Sequence, residues 1–269
     1  MNFDLIFGGV GGQGILSIAY VLDNAALRQE LRFKQSEVHG MAQRGGAVSS
    51  HLRVSDREIF SDMVPLASAH LLLGVEPMET LRYLDYLRPD GRIVSSVTPE
   101  VNIPDYPEVG RILDVLLGQP GTVLLDGKKV AREAGSHRAQ NMVVLGAAAP
   151  YIPLPQPLME QLIEQLFQRK GEKVVRANLN AFRYGKANGE FFLACVEAGA
   201  DAGAVLTLMQ HLESASLEPT RVDLWCQLLR TEQFSALVQR VQKLEHKTIP
   251  GAAEMARQLL ERGVEALPG

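Results

Sequence analysis

The first residues, an apolar run followed by clustered glycines, constrain the fold of this chain more than any other stretch. Residues 3–7 are apolar at four of five positions and predict a buried strand. Five glycines lie within residues 8–14, and apolar side chains then recur with helical spacing from Ile15 to Leu31. A strand, a glycine turn and a helix open a nucleotide-binding βαβ unit, where glycine lets the backbone approach a phosphate and the helix N-terminus offers free N–H groups. The pattern therefore predicts a turn that can face an anion.

Three of these glycines, Gly9, Gly11 and Gly14, have the G-x-G-x-x-G spacing of dinucleotide sites. Such sites place an acidic residue about 20 residues further on, where it binds ribose hydroxyls. A lysine and a glutamine occupy that region here, Glu37 comes late, and the Gln13 amide would compete with backbone groups at the turn. Two interpretations stay open: the turn contacts a nucleotide or phosphate, or its glycines only pack strand against helix.

Strand and helix patterns alternate along the chain to about residue 190. Strands are predicted at 31–35, 47–54, 70–75, 92–97 and 121–127, and helices at 78–87, 109–117, 128–133, 138–149, 158–169 and 173–182, the last ended by Tyr184 and Gly185. Segment 47–54 alternates apolar and polar residues, which favours an antiparallel or edge strand. The alternation predicts an α/β fold: a Rossmann-like three-layer domain with a mainly parallel sheet.

Helical patterns dominate the rest of the chain. Residues 191–196 fit either a short strand or the start of a helix, and helical stretches follow at 202–215, 217–243 and 249–267. We therefore divide the chain into an α/β domain, residues 1–190, and a helical C-terminal extension, residues 191–269. The extension is expected to pack on the domain or to bind a partner chain.

Composition excludes several classes of function. The net charge is −4 without a basic patch, which argues against a nucleic-acid partner. No apolar run reaches membrane-spanning length, and the first residues do not resemble a signal peptide, so a cytoplasmic protein is expected. Six scattered histidines and two distant cysteines, Cys195 and Cys226, predict no metal site, since an iron–sulfur cluster needs about four thiolates.

A second polar group follows the second predicted strand, at the strand end where ligands bind in open α/β sheets. Ser36, Glu37 and His39 are expected to bring a hydroxyl, a carboxylate and an imidazole into one short loop. Glu37 and His39 are candidates for an acid/base pair. Arg44 adds a guanidinium that can bind a carboxylate or phosphate in bidentate fashion. The alternative is that Glu37 and Arg44 form a structural ion pair, which fixes the loop against a partner protein.

The glycine turn, together with residues 36–46, resembles the gamma-type subunit of 2-oxoacid:ferredoxin oxidoreductases. Within that family, the beta subunit of the indolepyruvate-type enzymes is the most similar. Supporting resemblances lie at 76–82, 141–147 and 178–185, so the similarity covers residues 1 to about 190 and leaves out the C-terminal helices.

The resemblance implies that the complex converts a 2-oxoacid, coenzyme A and oxidised ferredoxin to acyl-CoA, carbon dioxide and reduced ferredoxin. Thiamine diphosphate carries the carbanion chemistry and [4Fe–4S] clusters carry the electrons. This chain has neither a Gly-Asp-Gly thiamine signature nor cluster cysteines. The resemblance therefore places both cofactors on a large alpha subunit, in a heterodimer or heterotetramer, and leaves this chain inactive alone.

By the same resemblance, one set of residues faces a ligand or the partner subunit. They are Gly9, Gly11, Gly12, Gln13, Gly14, Ser36, Glu37, His39, Gly40, Gln43, Arg44, Gly45, Gly46 and Asn141. Arg44 and the amides of the turn are the candidates to hold coenzyme A phosphates or the substrate carboxylate. Alternatives remain: a gamma subunit acting on pyruvate or branched-chain 2-oxoacids, a stand-alone nucleotide-binding protein, or a purely structural partner.

Overall fold

The computed structural model describes residues 1–39, 46–100 and 105–217, together with 227, 228, 231, 235, 236, 238 and 239. The chain divides into two compact units, residues 1–186 and 187–269. Most of the predicted helices 217–243 and 249–267 lie outside the described residues, as does Cys226, whereas Cys195 is buried. Within the described ranges, no helix is both long and apolar enough to cross a bilayer.

The first unit is built on a six-stranded sheet with the order β2-β3-β1-β4-β5-β6. Its strands are β1 (Asn2–Val10), β2 (Arg32–His39), β3 (Ala47–Ser55), β4 (Ala69–Gly74), β5 (Leu87–Ser96) and β6 (Thr122–Leu125). Strand β3 runs antiparallel to both of its neighbours, and all other adjacent pairs are parallel. The prediction of a mainly parallel sheet is confirmed. Segment 47–54, predicted as an antiparallel or edge strand, is antiparallel and lies between two other strands.

Helices cover both faces of this sheet. They are α1 (Ile15–Arg28), α2 (Pro77–Leu81), α3 (Val109–Leu117), α4 (Gly127–Glu133), α5 (Gln140–Ala148), α6 (Gln156–Phe167) and α7 (Glu172–Glu197), followed by α8 (Ala202–His211) after the first unit. Helices α1, α5 and α6 pack together on one face, and α2 packs with α3 on the other. Leu5, Ile6 and Phe7 of β1 are at most 1% exposed, because a central parallel strand is buried on both sides. The three-layer prediction is confirmed.

Helix α7 corrects one predicted boundary. The helix expected to end at Tyr184 and Gly185 continues to Glu197, which also makes residues 191–196 helical. A Cβ at Gly185 would overlap the carbonyl oxygen of Val143, and a Cβ at Gly146 would overlap that of Phe182. Helices α5 and α7 therefore cross backbone to backbone, and Gly185 permits close packing instead of ending the helix.

The predicted boundaries between α2 and β5 are also wrong. The helix predicted at 78–87 ends at Leu81, and the strand predicted to start at Arg92 starts at Leu87. Residues 89–91, expected to end the helix, lie in the first half of β5, where pairing with β4 is irregular. Proline is tolerated there because the start of a strand needs fewer ladder hydrogen bonds.

Candidate functional site

The carboxyl ends of β1 and β4 are neighbours at the centre of the sheet, where Val75 N–H donates to the Gly8 carbonyl at 2.9 Å. The connections that follow them lie on opposite faces. A Cβ at Gly9 would approach Ile15 of α1, whereas a Cβ at Gly8 would approach Glu79 of α2. Open α/β sheets bind ligands where successive connections diverge in this way. We call this location the β1–β4 crevice.

The glycine turn forms one side of the β1–β4 crevice. Gly12 and Gly14 have φ values of 101° and 78°, a left-handed conformation that favours glycine. The side chain of Gln13 closes the turn, because its Oε1 accepts from Val10 N–H at 2.8 Å. From the sequence, the Gln13 amide is expected to compete with backbone groups at the turn, and its bond to Val10 N–H is such a contact. A Cβ at Gly12 would meet no atom of the described residues within 4 Å, so the turn is open at that point.

Helix α1 begins directly after this turn. Its N-cap, Gly14, has no side chain that could accept from the N–H groups of the first turn, and that turn contains no acidic residue. Uncapped N–H groups and the helix dipole produce a positive potential at this end of the helix. The start of α1 is therefore suited to an anion.

Helix α5 brings Asn141 to the same place. Asn141 is 3% exposed, and its Nδ2 donates to the Gly14 carbonyl at 3.0 Å. Its Oδ1 is buried and has no hydrogen-bond partner in the part of the chain that the structure describes. A buried acceptor without a donor is costly, so this atom is a candidate to accept a hydrogen bond from a ligand.

Residues 36–39 are placed differently from the prediction. Pairing with β3 carries β2 to His39, with Glu37 opposite Ser50. Successive residues on a strand point to opposite faces, so the side chains of Ser36 and Glu37 do not share one. The expectation of a single loop that gathers the hydroxyl, carboxylate and imidazole is therefore wrong.

Strand β3 relates this segment to the glycine turn. Val48 pairs with His39 on one side and with Gly9 on the other, so the backbones of His39 and Gly9 lie about 10 Å apart. Gly11 N–H also donates to the Gly46 carbonyl at 2.8 Å. His39 and Gly46, which flank residues 40–45 in sequence, thus both reach the edge of the sheet that holds the crevice. Outside the described residues lie Gly40, Gln43, Arg44, Gly45 and the side chain of His39.

A buried carboxylate that the sequence did not single out as a site residue supports the other side of the crevice. Glu76 follows β4 and is 0% exposed. Its Oε2 accepts from Glu79 N–H at 2.8 Å, and its Oε1 accepts from Glu100 N–H at 3.3 Å and from the Tyr106 hydroxyl. Pro77 occupies the first turn of α2, as predicted. An acidic residue before proline, directly after an apolar strand, was the available signal for this helix cap.

A second carboxylate is buried nearby. Glu79 is 2% exposed, and its Oε1 accepts from Arg82 Nε at 3.2 Å. Burial raises the pKa of Glu79, with a smaller contribution from the Glu76 carboxylate and an opposing one from Arg82. The Glu79 carbonyl faces Gly8 so closely that a Cβ there would lie 2.9 Å from it. Gly8 therefore packs α2 against β1, whereas Gly12 is open.

A glycine turn at the divergence point of a mainly parallel sheet, backed by a buried amide, defines a Rossmann-like domain. The sequence profile described as pyruvate ferredoxin/flavodoxin oxidoreductase matches residues 4–187, more than half of the chain. The chain therefore belongs to the pyruvate ferredoxin/flavodoxin oxidoreductase family. The resemblance to gamma-type subunits that the sequence motifs suggested is confirmed.

Individual relatives agree with this assignment. Indolepyruvate oxidoreductase subunit IorB of Methanothermobacter thermautotrophicus is 34% identical over 194 residues, which cover 69% of this chain and 96% of that subunit. The keto/oxoacid ferredoxin oxidoreductase gamma subunit of Geobacter sulfurreducens is similar in structure, with a TM-score of 0.51 at 20% identity, over 70% of this chain and 97% of that one.

A third similarity is to part of a larger chain. The 2-oxoglutarate:ferredoxin oxidoreductase of Magnetococcus marinus, solved with 2-oxoglutarate, coenzyme A and succinyl-CoA bound, gives a TM-score of 0.55 at 21% identity. The match covers 70% of this chain but 31% of that chain. At these identities the two structural similarities establish the fold.

Proposed function

We propose that this chain is the non-cofactor subunit of an indolepyruvate, or aryl 2-oxoacid, ferredoxin oxidoreductase. In that role it supports the CoA-dependent oxidative decarboxylation of a 2-oxoacid to acyl-CoA, with reduction of ferredoxin. The observation that carries the proposal is the 34% identity to the Methanothermobacter indolepyruvate subunit over 96% of its length.

In this proposal the redox chemistry belongs to a large alpha subunit. A [4Fe–4S] cluster takes four thiolates, and this chain has two cysteines. The chain also lacks a Gly-Asp-Gly thiamine signature. Thiamine diphosphate and the clusters are therefore assigned to the partner, which passes electrons to ferredoxin. The working enzyme is a heterodimer or heterotetramer, and the isolated chain is inactive.

The contribution of this chain is one wall of the composite site, at the β1–β4 crevice. The open position at Gly12 and the N–H groups at the start of α1 fit a phosphate or a carboxylate. The Asn141 Oδ1 fits a donor on the same ligand. Coenzyme A carries both phosphates and amide N–H groups, which makes it the substrate whose chemistry suits this wall. Arg44 is a further anion ligand on sequence grounds.

The first experiment measures activity and substrate preference. The chain, alone and coexpressed with the large subunit, is assayed with coenzyme A and ferredoxin against indolepyruvate, phenylpyruvate, pyruvate and branched-chain 2-oxoacids. We expect turnover only from the complex, and fastest with indolepyruvate. Turnover by the isolated chain would contradict the assignment of both cofactors to the large subunit. A preference for pyruvate or a branched-chain acid would mean that the natural substrate is not indolepyruvate. A nucleotide-loaded monomer that binds no large subunit would favour a stand-alone nucleotide-binding protein.

The second experiment tests the crevice itself with a matched pair of glycine substitutions. Gly12 and Gly171 have similar φ values, 101° and 92°, and a Cβ at either would meet nothing within 4 Å in the described structure. Gly12→Ala and Gly171→Ala therefore introduce the same backbone strain at different places. We expect only Gly12→Ala to raise the KM for coenzyme A, by about tenfold, in an assembled complex. Equal KM values, or loss of assembly with Gly12→Ala, would show that the turn has a structural role.

A further inference from the structure

The opposite edge of the sheet, at the amino ends of the parallel strands, encloses a cleft lined by basic side chains. Two adjoining cavities, of about 510 and 200 Å³, share His70, Arg88 and Asp90. The smaller cavity is also lined by Arg92 and Tyr151. We call this pair of cavities the amino-edge cleft. It is about 20 Å from the β1–β4 crevice, since six residues of β1 separate the two.

Two of the three guanidinium groups in the amino-edge cleft are neutralised. Arg53 Nε donates to Asp4 Oδ1 at 2.8 Å, and Asp4 is 2% exposed. Arg88 binds Asp90 through Nε and through Nη2, the latter at 2.7 Å. The two bonds to Asp90 use Nε and Nη2 of Arg88, so Nη1 of Arg88 can donate to another acceptor.

The third guanidinium is different. Arg92 lies over the ring of Tyr151, 4.7 Å from the ring centroid, and has no carboxylate within ion-pair distance among the described residues. Stacking on an aromatic ring fixes the plane of a guanidinium while leaving its N–H edges available. Arg92 therefore supplies an oriented positive charge that the cleft does not cancel.

His70 adds a neutral donor to the same cavities. Its Nδ1 accepts from Asp4 N–H at 3.0 Å, so in the neutral ring the proton is on Nε2. Burial, followed by the nearby Arg88, lowers the pKa of His70, against smaller opposing effects of Asp4 and Asp90. The ring is therefore neutral at pH 7 and has Nε2–H as its remaining donor.

We propose that the amino-edge cleft binds the phosphoryl group of a small phosphorylated molecule, with Arg92 as the main ligand and Arg88 Nη1 and His70 Nε2 as further donors. A carboxylate is satisfied by one bidentate guanidinium, whereas a tetrahedral phosphoryl group accepts from several directions. The 200 Å³ cavity holds the phosphoryl group, and the adjoining cavity, lined in part by Pro65 and Ala67, receives the organic portion. The cleft is separate from the wall proposed for coenzyme A.

The test uses inorganic phosphate as the probe. The 269-residue chain is titrated calorimetrically at pH 7.5, with ionic strength held constant by sodium chloride. We expect saturable binding that Arg92→Gln weakens at least about tenfold, which is the effect of one lost charge-assisted contact. The matched control is Arg111→Gln, since Arg111 lies on α3 with its side chain 85% exposed. That variant is expected to bind phosphate within about twofold of the wild type.

A second variant keeps the test decisive if Arg92→Gln does not fold. His70→Asn retains an acceptor for Asp4 N–H but removes the Nε2 donor, and it is expected to weaken phosphate binding several-fold. Phosphate bound at the glycine turn would be insensitive to both variants, so equal binding by wild type, Arg92→Gln and His70→Asn overturns the proposal. Absence of saturable binding also overturns it. Acetate binding more tightly than phosphate would overturn the phosphoryl assignment.

Discussion

The side-chain amide of Asn141 and the carbonyl of Gly14 are joined by a 3.0 Å hydrogen bond across 127 residues of sequence. The bond attaches α5 to the residue that precedes α1, so the direction in which α1 presents its first N–H groups depends on a distant helix. The glycine turn is thus held by tertiary structure as well as by its own backbone.

Replacing Asn141 should therefore destabilise the fold. Asn141→Ala removes one of the two donors to the Gly14 carbonyl, the other being Ser17 N–H at 3.0 Å. We expect a loss of about 0.5–1.5 kcal/mol in the free energy of unfolding, measured with urea. Asn24→Ala is the matched control, because the Asn24 amide donates to the Tyr20 carbonyl of its own helix at a solvent-exposed location. A change of less than about 0.5 kcal/mol is expected there. Equal losses in the two variants would show that the hydrogen bond to Gly14 does not contribute more to the free energy of unfolding than an exposed bond within one helix.

The crossing of α5 and α7 predicts a larger effect from the addition of a single methyl group. Gly185→Ala and Gly146→Ala should each cost about 3 kcal/mol or more, because the new Cβ would overlap a backbone carbonyl that cannot rotate away. Gly110→Ala, in α3, places its Cβ 4.0 Å from Glu108 Oε1 and should be neutral or slightly stabilising. Thermal unfolding of the three variants measures the difference, and a tolerated Gly185→Ala would contradict the close crossing.

Asp23, on α1, predicts a pH dependence of stability. Burial raises the pKa of Asp23 to about 7, whereas an unfolded aspartate titrates near about 3.9. Between these values the folded state holds a proton that the unfolded state has released, so raising the pH through this window destabilises the fold. Asp23→Asn removes the effect, and its stability relative to wild type should rise by about 1–2 kcal/mol from pH 5 to pH 8, allowing for partial exposure.

Urea unfolding at the two pH values measures this dependence. Asp114→Asn, at an exposed position of α3, serves as the control. Its stability relative to wild type should be the same at both pH values within about 0.5 kcal/mol. A relative stability of Asp23→Asn that does not change with pH would show that Asp23 titrates in the folded protein as it does in the unfolded chain.

The buried Glu76 predicts the effect of changing its partner Tyr106. Burial and the hydrogen bond to Glu76 raise the pKa of the Tyr106 hydroxyl, which therefore stays protonated and continues to donate at alkaline pH. Tyr106→Phe removes this donor and should cost about 1.5–3 kcal/mol, the usual range for a hydrogen bond to a charged group. Tyr20→Phe, at a 39% exposed position, should cost little by the same unfolding measurement. Similar losses from both would mean that the hydroxyl does not stabilise Glu76.

Local patterns were sufficient for the parts of the fold whose signals are contiguous. The apolar run, the glycines and the helical spacing predicted β1 and the start of α1 at Ile15, and α3 was predicted with its observed bounds. Two bounds were wrong, because β1 continues through Gly8 and Gly9 to Val10 and α1 ends at Arg28 instead of Leu31. Residues 36–39 are polar except for Val38 and show no clear local strand pattern, so that only pairing with β3 shows that they extend β2. Gly185 resembles a helix end in sequence because its packing partner, Val143, is 42 positions away.

In the candidate site, too, the residues with local roles were predictable and those that depend on distant segments were not. The glycines and Gln13 were identifiable from the sequence because their roles are local. Asn141 was identified through a family resemblance, and its contact with Gly14 depends on how α5 packs. Glu76 lies in the resembling segment 76–82, but its role was not predictable, since its burial and its three hydrogen bonds arise from segments that meet only in the folded chain.

The antiparallel strand β3 has a consequence for how such subunits can be re-engineered. Because β2 and β3 are consecutive antiparallel neighbours, the chain between them has only to reverse direction, whereas parallel neighbours need a crossover of a dozen or more residues. A reversal tolerates insertion and exchange at small entropic cost. Exchanges of sequence in the connection between β2 and β3 are therefore expected to leave the pairing of Val48 with His39 and Gly9 unchanged.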